Sequence, residues 1–221
     1  PGRRRRASEP EPACTRGLAV IAVRGVSRSF DGVAVLNDAT FTATNGRICG
    51  LLGPNGAGKS TMMRIITGLL RTSTGSVEID GVSVGDAPLR ARQLLGVLPD
   101  ARGLHARLTA REHLFLSARL YLVPEAEIGA RVDLLAARLQ MAPLLDRRVA
   151  GFSQGERMKV ALGRALVADP PNLLLDEPQN GLDVEARRLL RELCLTLRDE
   201  GKTVVLSSHQ MAEVATIADD V

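Results

Sequence analysis

Apolar positions along this chain change their period several times, and each change marks an element. Residues 18–24 (LAVIAVR) read as a strand, and residues 38–44 place Ala39, Phe41 and Ala43 at alternate positions, as in a second. After the turn pair Asn45-Gly46, residues 47–52 (RICGLL) form a continuous apolar run, as in a strand covered on both faces. A glycine-rich stretch follows, then a helical pattern over 59–69. Residues 76–79, Asp80-Gly81 and 82–84 predict a hairpin, and 94–98 another short buried strand.

From 109 to 145 the pattern is helical and rich in Leu, Ala and Arg, with no strand candidate, which suggests an inserted helical unit. An amphipathic helix over 153–168, a short strand at 173–175, a helix over 184–200, a strand at 203–207 (TVVLS) and a helix from about 210 complete the chain. Strands alternating with helices predict a parallel sheet with helices on both faces. No internal repeat interrupts this order.

Composition narrows the class. The chain has 221 residues, enough for one sizeable α/β domain, and its 45% hydrophobic and 24% charged residues suit a globular protein. Aromatics are only 2%, so the core must come from Leu, Val, Ile and Ala, and base-stacking platforms for single-stranded nucleic acid are disfavoured. The net charge is +4, of which residues 1–17, with five Arg and two Glu, hold +3. The run Arg3-Arg4-Arg5-Arg6, followed by Pro and Glu, reads as a disordered tail rather than a nucleic-acid or lipid contact. Cys14, Cys49 and Cys194 are odd in number and lack CxxC spacing, which argues against a disulfide framework or zinc site and fits a reducing cytosol. No apolar run approaches the ~18–20 residues of a membrane span, and no apolar segment follows the Arg run as in a signal peptide. The chain stops just after a helical pattern, as a fragment would.

Two stretches carry chemistry. Gly53, Pro54, Asn55, Gly56, Ala57, Gly58, Lys59 and Ser60 match the phosphate loop G-x-x-x-x-G-K-[ST], with a buried strand before it and a helix opening at Lys59. Glycines let backbone N–H groups converge on phosphate oxygens, and the helix N-terminus adds partial positive charge. Lys59 is then placed to reach the β/γ-phosphates and the Ser60 hydroxyl to ligate Mg²⁺. The second stretch, residues 173–178 (LLLDEP), is a strand delivering two acids at its end. Beside a phosphate loop, Asp176 suits Mg²⁺ and Glu177 suits a general base for an attacking water.

Residues 151–155 (GFSQG) also fit G-x-S-x-G, with acids and His209 downstream in hydrolase order. A nucleophile elbow needs an apolar strand running into the Ser, yet residues 146–150 (DRRVA) are too charged for one. Ser153 instead opens a helix with Glu156 at the capping-box position, and a Ser beside free helix N–H groups suits a phosphate. His105 and His113 show no ligand spacing or partner and read as surface or helix positions. Cys49 reads as a small core residue, and the charges from Arg187 to Glu200 as a solvated helix face.

In order along the chain, GPNGAGKST, FSQGE, LLLDEP, NGLD and SSH resemble the ATP-binding subunit of an ABC transporter, over residues 18–221. The resemblance implies an α/β fold: a P-loop NTPase core with a mostly parallel sheet, an N-terminal antiparallel β subdomain and an inserted α-helical subdomain at about 105–168. It implies ATP and Mg²⁺ as cofactors, with Thr61 joining the P-loop residues. It makes 152–156 the signature motif, whose Ser153, Gln154 and Gly155 face the nucleotide bound on a second copy, and puts Asp183 in the loop crossing that dimer seam. His209 corresponds to the switch histidine at the γ-phosphate, and Phe30 to an aromatic against adenine. A separate transmembrane permease chain is implied, touching the segment around Asp100 to Arg107 and the helical insert. The location implied is cytoplasmic, at the inner face of the cell membrane, and no nucleic-acid partner is expected.

The stretches GVLPDARGLHARLTAREHL and FSQGERMKVALGRAL are most similar in flavour to the bacterial sodium-extrusion type. Three departures stand out. Asp100 replaces the usual Gln after Pro99, and a carboxylate can ligate Mg²⁺ or its water but cannot donate a hydrogen bond. Gln154 and Glu156 alter the signature, and Gln179 replaces a common Thr. Two rivals are a regulatory nucleotide-binding module with weak turnover, suggested by Asp100, and a non-transport ATPase of this family acting on ribosomes or DNA. The latter usually carries a tandem ATPase domain or long coiled-coil insert, and neither is visible.

Overall fold

A computed structural model describes residues 20–100 and 103–221. The Arg run, Cys14 and the start of the first predicted strand lie outside the described residues. In chain order the elements are β1 (Val20–Phe30), β2 (Val33–Thr44), β3 (Ile48–Leu52), α1 (Lys59–Ile66), β4 (Thr74–Ile79) and β5 (Val82–Ser83). Then come α2 (Pro88–Gln93), β6 (Leu95–Leu98), α3 (Ala110–Leu120), α4 (Glu125–Arg138), α5 (Gln154–Leu166), β7 (Asn172–Leu175), α6 (Val184–Asp199), β8 (Thr203–Ser208) and α7 (Met211–Val214).

The strands form two sheets. One has the order β2-β1-β4-β5 and is antiparallel in every pair; the other has the order β3-β8-β7-β6 and is parallel in every pair. Because successive strand residues point to opposite faces, the parallel sheet feeds two cores. Leu173, Leu175, Val204 and Leu206 join Leu162 of α5, Leu193 of α6 and Leu114 of α3. Leu174 and Val205 face the other way, toward Met62 and Ile66 of α1 and Ile21, Val23 and Ile79 of the antiparallel sheet. Helices therefore lie on both faces, α3, α5 and α6 on one and α1 and α2 on the other, where the antiparallel sheet shares the cover. The close approach of α5 to β6 depends on Gly96, where a Cβ would meet the Ala165 carbonyl oxygen at 2.3 Å.

Several boundaries moved for identifiable reasons. β1 runs to Phe30 rather than ending at 24, because its polar second half is held by pairing with β2 through shifts in register. The six-residue α2 opens on Pro88 and is too short to show a period in sequence. The last predicted helix is a single turn, Met211–Val214.

His113 corrects the reading of that residue as lacking a partner. It sits on α3 but is buried, and its Nε2 lies 3.2 Å from the His105 carbonyl oxygen. Burial holds its pKa below the ordinary imidazole value, opposed by the smaller effect of that carbonyl contact. Cys49 and Cys194 are buried free thiols, as small core residues, and burial pushes them up to about 11 and about 12.

Candidate functional site

Strand order explains why distant motifs meet. β8 lies between β3 and β7, so three adjacent parallel strands end side by side, and β6 is next along. Their carboxyl ends release the loop 53–58, His209, the pair Asp176-Glu177 and Asp100, respectively. Open parallel sheets gather their binding residues at that edge. The result is a cleft of about 400 Å³ lined by Val35, Asn55, Gly56, Gly58, Lys59, Ser60, Thr61, Asp100, Glu177, Asn180 and His209.

The loop is bent where only glycine fits. Gly58 has φ +88° at the start of α1, and a Cβ there would come within 2.9 Å of the Val35 carbonyl oxygen and 2.8 Å of Leu36. The β2 edge is thus pressed against the loop. Pro54, Asn55, Gly56 and Ala57 are exposed, while Gly53 continues β3 and donates its N–H to the Ser208 carbonyl oxygen at 3.3 Å. Lys59 folds back under the loop: its Nζ donates to the Gly53 oxygen at 2.7 Å and to the Pro54 oxygen at 3.1 Å.

Glu177 is the hub of the cleft. Its Oε1 lies 3.2 Å from Lys59 Nζ, both side chains being about nine-tenths buried at 11% and 9% exposure, and its Oε2 lies 2.8 Å from His209 Nδ1. The Lys59 contact is an ion pair without hydrogen-bond alignment. Glu177 has φ +46°, a left-handed conformation uncommon for a non-glycine residue. Its N–H donates to Ser207 Oγ at 2.9 Å, and the same hydroxyl donates to Asp176 Oδ1 at 2.6 Å. Ser207 is buried at the end of β8 and ties the Asp176 carboxylate to the Glu177 backbone. Sequence reading passed over it as part of a strand; only the preceding-but-one position to His209 hinted at more.

Asp176 and Ser60 offer oxygen donors to a small hard cation. Among the described residues no group of three His, Cys, Asp or Glu side chains could hold a metal alone. Mg²⁺ is commonly held by one or two carboxylates together with waters and phosphate oxygens. Asp100 and Ser60 both line the cleft.

The signature residues lie elsewhere. Ser153 caps α5 in a full capping box: its Oγ accepts from the Glu156 N–H at 3.2 Å, and Glu156 Oε2 accepts from the Ser153 N–H at 2.8 Å. A short 3-10 turn at Val149–Gly151 precedes it rather than a strand, and His209 pairs with Glu177, so the nucleophile-elbow geometry is absent from Ser153. Asp183 likewise caps α6 through Ala186 N–H at 2.8 Å. A Cβ on Gly155 would stand 3.3 Å from Ala186, which puts the starts of α5 and α6 together. Gln154 lines an open cleft of about 520 Å³ with Arg157, Asn180 and Gly181, and shares Asp100 and Asn180 with the phosphate-loop cleft. Ser153 and Gln154 are exposed. Phe30, 40% exposed, stands at the tip of the β1–β2 hairpin with the Arg28 guanidinium 4.8 Å from its ring centre.

A parallel sheet that releases a glycine-rich lysine loop, with a paired-acid strand one place removed, defines a P-loop nucleotide triphosphatase. Residues 36–180 match the ABC transporter family, and the chain belongs to it. Similar proteins include the ABC transporter ATP-binding protein NatA of Bacillus subtilis (strain 168), 41% identical over 207 residues that cover 91% of this chain and 84% of that protein. The Nod factor export ATP-binding protein I of Rhizobium meliloti (strain 1021) is 38% identical over 90% of this chain and 59% of its own length. The sn-glycerol-3-phosphate import ATP-binding protein UgpC of Paracoccus denitrificans (strain Pd 1222) is 36% identical over 91% and 57%. Among solved structures, an ATP-binding subunit of an ABC transporter superposes with a TM-score of 0.83 at 33% identity, covering 90% of this chain and 83% of that one. CbiO1 from Clostridium perfringens, part of the ABC transporter complex cbiONQ, gives 0.81 at 26% identity, covering 92% and 83%. The chain is an ATP-binding subunit of this family and an ATPase, with ATP and Mg²⁺ as the family's cofactors.

Proposed function

We propose that this subunit hydrolyses ATP by in-line attack of water on the γ-phosphate, and that it works as a homodimer driving a separate transmembrane permease chain in an exporter at the cytoplasmic face of the cell membrane. The observation that carries the chemistry is the Glu177 carboxylate held between Lys59 and His209 in the phosphate-loop cleft. Backbone N–H groups of the glycine-rich loop and of the start of α1, with the Lys59 ammonium, hold the phosphates. Ser60 and Asp176 hold Mg²⁺, and Asp100 takes the metal or its water in place of the family's Gln. Bound Mg²⁺ supplies charge neutralisation at the phosphate oxygens. Glu177 removes the proton from the attacking water as the bond to ADP breaks, and His209, oriented by Glu177, contacts the γ-phosphate. Phe30 stacks on adenine.

Ser153, Gln154, Gly155 and Asp183 serve the nucleotide on the partner copy. The exposure of Ser153, Gln154 and Asp183 at two adjoining helix starts supports a role across a seam. The positive end of a helix dipole suits phosphate. No helix among the described residues is long and apolar enough to cross a membrane. The outer face of α3, with exposed Leu116 and Leu120 and a shallow apolar groove flanked by Arg111 and Arg119, supports permease contact at the helical insert. Export, and sodium as the cargo, rest on the likeness of residues 96–114 and 152–166 to the sodium-extrusion type.

Replacing Glu177 by Gln tests the central assignment. The variant should bind ATP normally, lose nearly all turnover and accumulate as an ATP-bound dimer in light scattering. Turnover at the wild-type rate would remove Glu177 as the general base.

A further inference from the structure

The contact between Arg28 and Phe30 has no place in the chemistry above. The two residues are i and i+2 on β1, so they share one face of the strand. The guanidinium carbon sits 4.8 Å from the Phe30 ring centre. Arg28 Nε is screened from solvent and has no hydrogen-bond partner among the described residues. No ion pair of Arg28 appears among those of the described residues, whereas its neighbour Arg24 pairs with Glu78 at 2.7 Å. The ring is thus the contact that locates this cation. A guanidinium tolerates such a position because it is planar and more weakly hydrated than an ammonium.

The hairpin places this pair beside the phosphate loop. Across β1–β2, Arg28 is paired with Leu36 and Phe30 with Val33. Leu36 and Val35 are the residues that press on Gly58, and Val35 lines the phosphate-loop cleft. A base attached to a triphosphate in that cleft has the hairpin tip as its neighbouring surface.

We infer that Arg28 is a positioning residue for the nucleobase: its guanidinium stacks on one face of Phe30, fixes the ring and leaves the opposite face for a purine. This rests on the reading of Phe30 as the adenine platform. A cation over one face draws the ring's π density toward itself, which makes the other face a better partner for an electron-rich purine. Fixing χ1 and χ2 of Phe30 beforehand also removes an ordering cost from nucleotide binding. The effect belongs to the base and not to the phosphates, so it appears in affinity for ATP and not in the rate of the chemical step.

The experiment compares ATP with inorganic tripolyphosphate, each with Mg²⁺, by calorimetric titration of the whole chain. Arg28→Ala should weaken ATP binding about two- to fivefold, the size of an exposed cation–π contact, and leave tripolyphosphate unchanged. Arg28→Lys should retain part of the loss. Arg28→Met, which keeps the stem without the charge and guards against misfolding of the Ala variant, should behave as Ala does. In a Phe30→Ala background, Arg28→Ala should add nothing. If Phe30→Ala weakens ATP binding but Arg28→Ala and Arg28→Met do not, the inference fails and the platform reading stands. If Phe30→Ala leaves ATP binding unchanged, the platform reading fails and takes the inference with it. Equal loss of ATP and tripolyphosphate in Arg28→Met would make Arg28 a general electrostatic or folding residue and overturn the inference. Tighter ATP binding in that variant would show that the guanidinium competes for the base face, with the same result.

Discussion

His209 Nδ1 lies 2.8 Å from Glu177 Oε2, so the last parallel strand to form in the chain delivers a ring that steadies the acid of its neighbour. Gln210 Nε2 lies 3.4 Å from the ring's other nitrogen, His209 Nε2. On the proposed mechanism, His209→Ala frees one side of the Glu177 carboxylate. Turnover should fall about a hundredfold or more while ATP affinity stays within about threefold, read from steady-state kinetics and equilibrium titration. Wild-type kcat would dissociate this pair from catalysis.

Ser207→Ala tests the shared hydroxyl. It strips Asp176 Oδ1 of a donor and leaves the Glu177 N–H unpaired inside the protein. The unfolding free energy should drop by about 1–3 kcal/mol, as for a buried polar group left unsatisfied. Because both acids lose their alignment, the Mg²⁺ dependence of turnover should shift to higher concentration. Ser207→Thr, keeping the hydroxyl, should recover most of the second effect.

Ser153 separates helix capping from the proposed action across a dimer. Ser153→Ala removes the cap, and a loss of about 1 kcal/mol in denaturant melts is expected. Ser153→Arg should spare ATP binding by the monomer yet block dimer closure and turnover, seen by light scattering with ATP and by phosphate release. A fully active Ser153→Arg enzyme would return this residue to capping alone.

His113 sets a pH response of stability. Its folded pKa is depressed, chiefly by burial; the His105 carbonyl contact and the Glu112 charge oppose the depression, and the charges of Arg164 and the His105 ring add to it. The unfolded chain therefore binds more protons below the ordinary imidazole value, and stability contributed by the neutral ring is complete above about pH 6.5 and is lost as pH falls from there toward the folded pKa. Denaturation midpoints should fall between about pH 7.5 and 5.5, and His113→Gln should flatten that part of the profile. An unchanged slope in the variant would assign the response to other groups.

The legible part of this protein was whatever depends on residues close in sequence. A phosphate loop works through consecutive backbone N–H groups, a strand end through adjacent acids and a helix cap through residues three apart, so residues 53–61, Asp176-Glu177 and Ser153 with Glu156 could be read directly. Their elements followed from the period of apolar positions, apart from the polar half of β1, the first half of β2, the short α2 and the last helix, which is a single turn. What no local pattern could supply was the strand order. Placing β8 between β3 and β7 is what brings His209 to Glu177, Ser207 to both acids and Lys59 to the same carboxylate, across separations of 32, 30 and 31, and 118 residues in the chain. The sequence by itself determined the chemical groups and the local backbone that presents them. The tertiary structure alone decided which groups share a cleft and which stay apart, because those contacts depend on how the apolar faces of distant strands and helices are buried together.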